Sequence, residues 1–240
     1  MRSEVSPGLI HEILVQAYGL PQRNPPPLNN KADPLDELIY IVITVMTSDK
    51  NADRAYERLK TQSPTWKAAA AVSVKQFVKV LSSAGLANQK APRIKKMLTT
   101  IQELDDRVTL EFLRGWSTRD VEDFLTAFQG IGKKSARCVM MYSLDREVLP
   151  VDSHVYRISR RLGLIDPTVS YNAAMDIIQD SVDPELRYDI HVNLVKHGRL
   201  VCAARSPECS VCVFSRVCRS YWDGYFVAPP PAPGGRRPRH

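Results

Sequence analysis

Four of the five cysteines of this 240-residue chain, Cys202, Cys209, Cys212 and Cys218, fall within 17 consecutive residues. Their spacing is C-x6-C-x2-C-x5-C. Four thiolates so near in sequence can close around one compact metal centre, and a donor set of soft sulfur alone suits a zinc ion or a four-iron, four-sulfur cluster. A zinc ribbon brings two C-x2-C knuckles on separate hairpins. Only one such pair exists here, so the spacing favours the [4Fe-4S] cluster. Two disulfides are the other use of four cysteines, but disulfides belong to secreted proteins, and the composition offers no sign of secretion.

The N-terminal residues MRSEVSPGLI lack the apolar core of a signal peptide. The longest apolar run, about 38–46, is too short to span a bilayer. These features lead us to expect a soluble, cytoplasmic, nucleoid-associated protein with reduced thiols and no membrane partner. Hydrophobic residues make up 44% of the chain, enough for a globular core. The net charge of +7 suits a polyanionic partner, because Lys and Arg that neutralise phosphates release counterions. Charge alone does not decide the matter, since many basic proteins bind no nucleic acid.

Helical periodicity marks about 35–47, 51–61, 73–82, 88–104, 118–128, 133–144, 152–162, 171–180 and 184–202. Several of these begin with a capping residue and a proline: Asp33-Pro34, Ser63-Pro64, Asp183-Pro184. No succession of alternating strands appears, so the fold class is all-α. The proline-rich stretch 21–34 is expected to be an extended connector, and the Pro/Gly/Arg-rich tail 227–240 to be disordered.

Between two helical stretches lies Gln129-Gly130-Ile131-Gly132-Lys133-Lys134-Ser135-Ala136. The two glycines permit a tight hairpin with outward backbone N–H groups, and the next helix adds its positive end. That geometry holds a phosphate without reading sequence. The G-x4-G-K-[ST] spacing of a nucleotide-hydrolase phosphate loop is absent. In a basic, helical chain the motif reads as a helix-hairpin-helix DNA-binding element.

Further along stands Leu149-Pro150-Val151-Asp152-Ser153-His154-Val155. Asp152 is suited to cap the helix that follows, a purely structural role. A chemical role needs Lys134 as partner. A lysine at a helix N-terminus beside Lys133 is expected to have its ammonium form disfavoured, which frees the amine to attack a sugar C1′ and form a Schiff base. A carboxylate facing it stabilises the positive sugar as the base departs.

The stretches ELIYIVITV (37–45), GLANQKAPRI (85–94), QGIGKKSA (129–136), VDSHVYRISRR (151–161) and KHGRLVC with the cysteine quartet (196–218) resemble the endonuclease III family of helix-hairpin-helix (HhH-GPD) DNA glycosylases. The resemblance covers about 35–223 and implies a two-domain fold, a six-helix barrel and an iron–sulfur cluster domain, with DNA in the cleft between them and the damaged nucleotide flipped out of the stack. It implies an N-terminal helix and linker over 1–32 that pack on the cluster domain. The barrel with its hairpin motif would span 33–146, the cluster domain 147–226 and the tail 227–240.

Residue by residue, the resemblance implies that Lys134 is the nucleophile and Asp152 the catalytic aspartate. It makes the four cysteines the ligands of a [4Fe-4S] cluster. Gly130, Ile131, Gly132 and Lys133 are expected to face phosphate, as is Arg205 on the Cys202–Cys209 loop. Leu86 matches a residue that wedges into the duplex, and Asn88 and Lys90 in the same stretch are expected at the DNA. Thr47 lies where the family carries a glutamine that enters the space left by the flipped base. Threonine is too short for the same amide contacts, so opposite-base reading should differ.

A lysine at 134 implies a bifunctional glycosylase that also cleaves abasic sites by β-elimination. The partner would be double-stranded DNA with a damaged base or abasic site, bound by a monomer. Oxidised pyrimidines are the substrate by analogy, with another lesion or the abasic site alone as alternatives. A damage-sensing binding protein without catalysis is the alternative of another class. Cys138, His154, His197 and the three tryptophans read as structural, and Arg157, Arg160 and Arg161 as phosphate contacts or a solvated face.

Overall fold

The computed structural model describes residues 5–224 and divides into two compact units, Gln22–Pro150 and Met1–Pro21 with Val151–His240. The expected boundaries at 32 and 146 thus shift, and 22–32 and 147–150 go with the central segment. Among the described residues there is no strand. The tail 227–240 lies outside them.

Within Gln22–Pro150, α2 (Pro34–Thr44) carries only two charged residues, Asp36 and Glu37, and supplies the core, with Leu35, Leu38, Ile39 and Ile43 fully buried. Asp33 starts it, its Oδ1 accepting from the amides of Leu35 and Asp36 at 2.9 and 2.8 Å, and Pro34 fills the first turn, where no amide bond is lost. It packs on α8 (Lys133–Ser143), whose residues from Ala136 to Ser143 are all buried. Around this pair lie α3 (Asp49–Gln62), α4 (Trp66–Ala71), α5 (Val74–Val80), α6 (Ala87–Leu104) and α7 (Thr118–Thr126). The Leu81–Ala84 turn seats against α3, where Ala52 and Ala55 are small enough to allow close approach.

The proline-rich connector is not extended. It folds through bends and turns, with Leu28 and Asn29 left-handed. Side chains tie it down: Asn29 Nδ2 donates to Asp53 at 3.2 Å, and Ser143 Oγ donates to the Lys31 carbonyl at 2.7 Å. The prolines set individual φ angles, but these cross-links set the path.

In the other unit, α1 (Pro7–Tyr18) buries Ile10 and Leu14 against α11 (Arg187–Leu200). The periodicity did not mark this helix, because two buried residues four apart make a weak stripe. Ser6 caps it by accepting from the Leu9 amide at 3.2 Å. The amphipathic α9 (Ser153–Leu162) packs on α10 (Tyr171–Ser181), α11 and the short α12 (Arg219–Trp222). Gly163 ends α9 in a left-handed turn that side chains resist, its amide donating to the carbonyls of Ser159 and Arg160.

Candidate active site and cysteine centre

The α7–α8 connection is a tight hairpin. Gly130 takes φ +88° and the Ile131 amide donates to the Phe128 carbonyl at 3.0 Å. A side-chain carbon at Gly130 would also crowd Arg93 Nη1 at 3.2 Å. Ile131 is buried and anchors the hairpin, while Gly132, at the N-cap of α8, and Lys133 are exposed. Lys134 is half-buried in the first turn of α8.

Sequence reasoning missed Glu37, whose place in an apolar helix gave no signal. It is 0% exposed; Oε2 accepts from the Lys31 amide at 2.6 Å, and Oε1 is buried without a hydrogen-bond partner. Burial raises its carboxyl from 4.5 to about 7, against the smaller opposing influence of the Lys31 amide and the Lys134 and Lys31 charges. A proton-exchanging carboxyl therefore lies within the field of Lys134.

Asp152 caps α9, its Oδ1 accepting from the amides of His154 and Val155, both at 2.8 Å. Both bonds fall on one oxygen, so the cap fixes the carboxylate's direction and leaves Oδ2 outside the capping interaction. Lys134 and Asp152 belong to different units.

Lys90 and Thr47 are placed differently from expectation. Lys90 is 2% exposed, and its ammonium donates to the carbonyls of Ile43 at 2.7 Å and Ala84 at 2.6 Å and to Thr47 Oγ1 at 2.7 Å. All three donors are consumed in the interior, so Lys90 cannot also reach DNA. The Thr47 hydroxyl is drawn inward as well, toward the Ala84 carbonyl. The residue the loop presents is its neighbour Met46, 84% exposed. Leu86, also exposed, and Asn88 stand on the surface near the start of α6.

All four quartet cysteines line one cavity, with Arg161, Pro207, Ser215 and Tyr221. Burial, reinforced by neighbouring cysteines, raises the thiols of Cys209 and Cys218 and pushes Cys212 up to about 11. Four sulfurs lining one cavity form an all-sulfur donor set, which fits an iron–sulfur group. Among the described residues, no three His, Cys, Asp or Glu side chains are grouped to hold a metal ion. Four thiolates around a four-iron cube stand farther apart than four around one ion.

The surrounding groups are arranged toward sulfur. Arg161 Nη1 donates to Cys202 Sγ at 3.0 Å and to the Ala203 carbonyl at 2.8 Å. Arg157 Nη2 donates to the Cys202 carbonyl at 2.9 Å. Arg157 and Arg161 thus brace the cysteine loop through its backbone carbonyls and the Cys202 sulfur. His197 is fully buried and held neutral, its pKa lowered to about 4 by burial. Tyr18 Oη lies 2.7 Å from its Nδ1. With that hydroxyl donating, Nε2 carries the proton toward Cys212 Sγ at 3.4 Å. Gly198 is demanded by packing, since a side-chain carbon there would stand 2.5 Å from His154 Nδ1. Arg205 is exposed on the loop between Cys202 and Cys209.

A glycine hairpin opening a lysine-bearing helix and a cysteine-lined cavity thus occur in one all-helical chain. The model of the HhH-GPD superfamily of base excision DNA repair proteins matches residues 39–184, and the chain belongs to that superfamily. A putative DNA glycosylase of Arabidopsis thaliana is 33% identical over 166 residues, 69% of this chain and 57% of that protein. Endonuclease III of Sulfolobus acidocaldarius is 30% identical over 150 residues, 62% of this chain and 65% of the relative. The chain thus spans less than two thirds of either relative's length. Its fold is that of endonuclease III in a non-covalent complex with DNA, with a TM-score of 0.75 at 22% identity, covering 92% of this chain and 99% of the other.

Proposed function

We propose that this protein is a base-excision DNA glycosylase with abasic-site lyase activity, acting on duplex DNA. The observation that carries the reading is Lys134 in the first turn of α8, directly after the glycine hairpin, within the matched family segment. In the reaction, the Lys134 amine attacks C1′ of the flipped nucleotide. The glycosidic bond breaks, its electron pair leaves with the base, and the base takes up a proton. The aminal left at C1′ then opens: the C1′–O4′ bond breaks, its electron pair goes to O4′, which takes up a proton, and the iminium so formed acidifies C2′. Loss of a C2′ proton then expels the 3′-phosphate, which is β-elimination. Asp152 stabilises the cationic sugar. The exposed Gly132 and Lys133 hold phosphate, with Arg205 and Asn88 at the backbone. Oxidised pyrimidines are the substrates we favour, as a monomeric enzyme would meet them.

We assign Cys202, Cys209, Cys212 and Cys218 as ligands of a [4Fe-4S] cluster. When bound, the cluster supplies structural organisation of its segment and no step of the base-excision chemistry. No described helix is long and apolar enough to cross a membrane.

Borohydride trapping on duplexes carrying one lesion each tests the assignment. A covalent adduct with an oxidised pyrimidine is expected, and Lys134→Ala should abolish it while DNA binding persists; unchanged trapping in that variant would remove Lys134 from its role. Asp152 is tested by two substitutions. Asparagine caps as well as aspartate, so Asp152→Asn should lose catalysis at unchanged stability, whereas Asp152→Ala should also lose about 1 kcal/mol of stability. If Asp152→Asn retains full turnover, the residue is only a cap.

A further inference from the structure

We propose that Lys90 is a positioning residue: its buried ammonium sets Met46 and Leu86 as a matched apolar pair that enters the duplex beside the damaged nucleotide. The proposal rests on the glycosylase reading.

The ammonium grips the roots of two loops. Ile43 lies in the last turn of α2, and Ala84 ends the Leu81–Ala84 turn, so both carbonyls lack a partner further along their helices. Both are also the negative ends of their helices, which explains how a buried lysine is held there without a carboxylate. Lys90 sits on the first full turn of α6, where side chains lean back toward the helix start and so toward these carbonyls. Thr47 adds a second link, its hydroxyl lying between the Lys90 ammonium and the Ala84 carbonyl. The loops touch at their bases: Met46 O is 3.7 Å from where a side-chain carbon on Gly85 would stand.

Met46 follows Ile43 by three residues and Leu86 follows Ala84 by two. Their φ angles are +52° and +51°, a left-handed conformation that residues with side chains adopt only when the surroundings impose it. The clamp is that imposition. The two side chains it presents are 84% and 45% exposed, large and apolar. Solvated apolar tips gain nothing in the free protein. Between unstacked bases they replace lost stacking contacts. Neither tip carries a strong hydrogen-bonding group, so the pair fills the gap by shape and should tolerate any opposite base.

The experiment compares borohydride trapping rates on an abasic duplex and on the same abasic strand alone, which needs no wedge. Lys90→Met should slow the duplex reaction about tenfold, since unstacking is no longer fully offset, and leave the single-strand rate within about twofold. Met46→Ala should give the same pattern, and combining it with Lys90→Met should add little further loss. Equal losses on both substrates would show that Lys90 only supports the fold, and the proposal would fail. Should Lys90→Met not fold, Thr47→Val carries the same expectation with a smaller duplex loss. A wild-type protein that traps neither substrate overturns the lyase reading and this proposal with it, an outcome distinct from failure of the Lys90 variant alone.

Discussion

Glu37 shows what burial does to a single acid. Its pKa is raised from 4.5 to about 7 in the folded chain, so the folded state holds the proton more tightly than the unfolded state. The stability linked to that proton is full below about pH 4.5 and is lost as the pH rises through 7, by about 3 kcal/mol at most. Glu37→Gln keeps the shape without the ionisation. Urea unfolding should therefore find the variant equal to the parent near pH 4.5 and more stable at pH 8; the same difference at both pH values would refute a titrating Glu37. Individual residues were also where the sequence was hardest to read. The Lys134 and Asp152 positions, the hairpin glycines and the cysteines carry local signatures of spacing and capping. Lys90 carries none. That a lysine is interior follows from two carbonyls more than forty and six positions away in the chain, meeting only in the fold. Met46 rather than Thr47 faces outward because of a backbone reversal that no pattern of residue types announced.

At the level of elements, the helices with a strong stripe or a clear cap were legible: α2, α6, α8 and α9 lie within a few residues of their expected bounds. The six-residue α4 was not, since Trp66–Ala71 is mostly alanine and has no face to reveal a period. The connector was misread because proline content reports local φ and not the distant side chains that fold it back. The cysteine segment from Cys202 to Cys218 contains little regular structure, only the Cys209–Val211 turn. On the proposed ligation, a segment so poor in helix draws its order from the centre it holds, as metal binding and folding are linked in such pieces. Cys209→Ser should lower both cluster content, read by visible absorbance, and folded yield. Undiminished cluster absorbance would remove Cys209 from the ligand set.

For the whole molecule, the net charge of +7 becomes interpretable once the family is known. Affinity for undamaged duplex should fall as salt rises, on a straight line in logarithmic plots. Lys133→Ala should reduce that slope by about one unit if the lysine neutralises one phosphate. An unaltered slope would place Lys133 away from the backbone. The Asp152 carboxylate and the cysteine centre are also joined mechanically. Asp152 opens α9 and Arg161 nearly closes it, so the two stand about 14 Å apart on one short rod. Arg161 holds a sulfur at that far end. In the proposed mechanism, the acid that serves the sugar is thus aimed by a beam whose other bearing is a cysteine, so that chemical damage to that cysteine would loosen the mount of a group that never touches it.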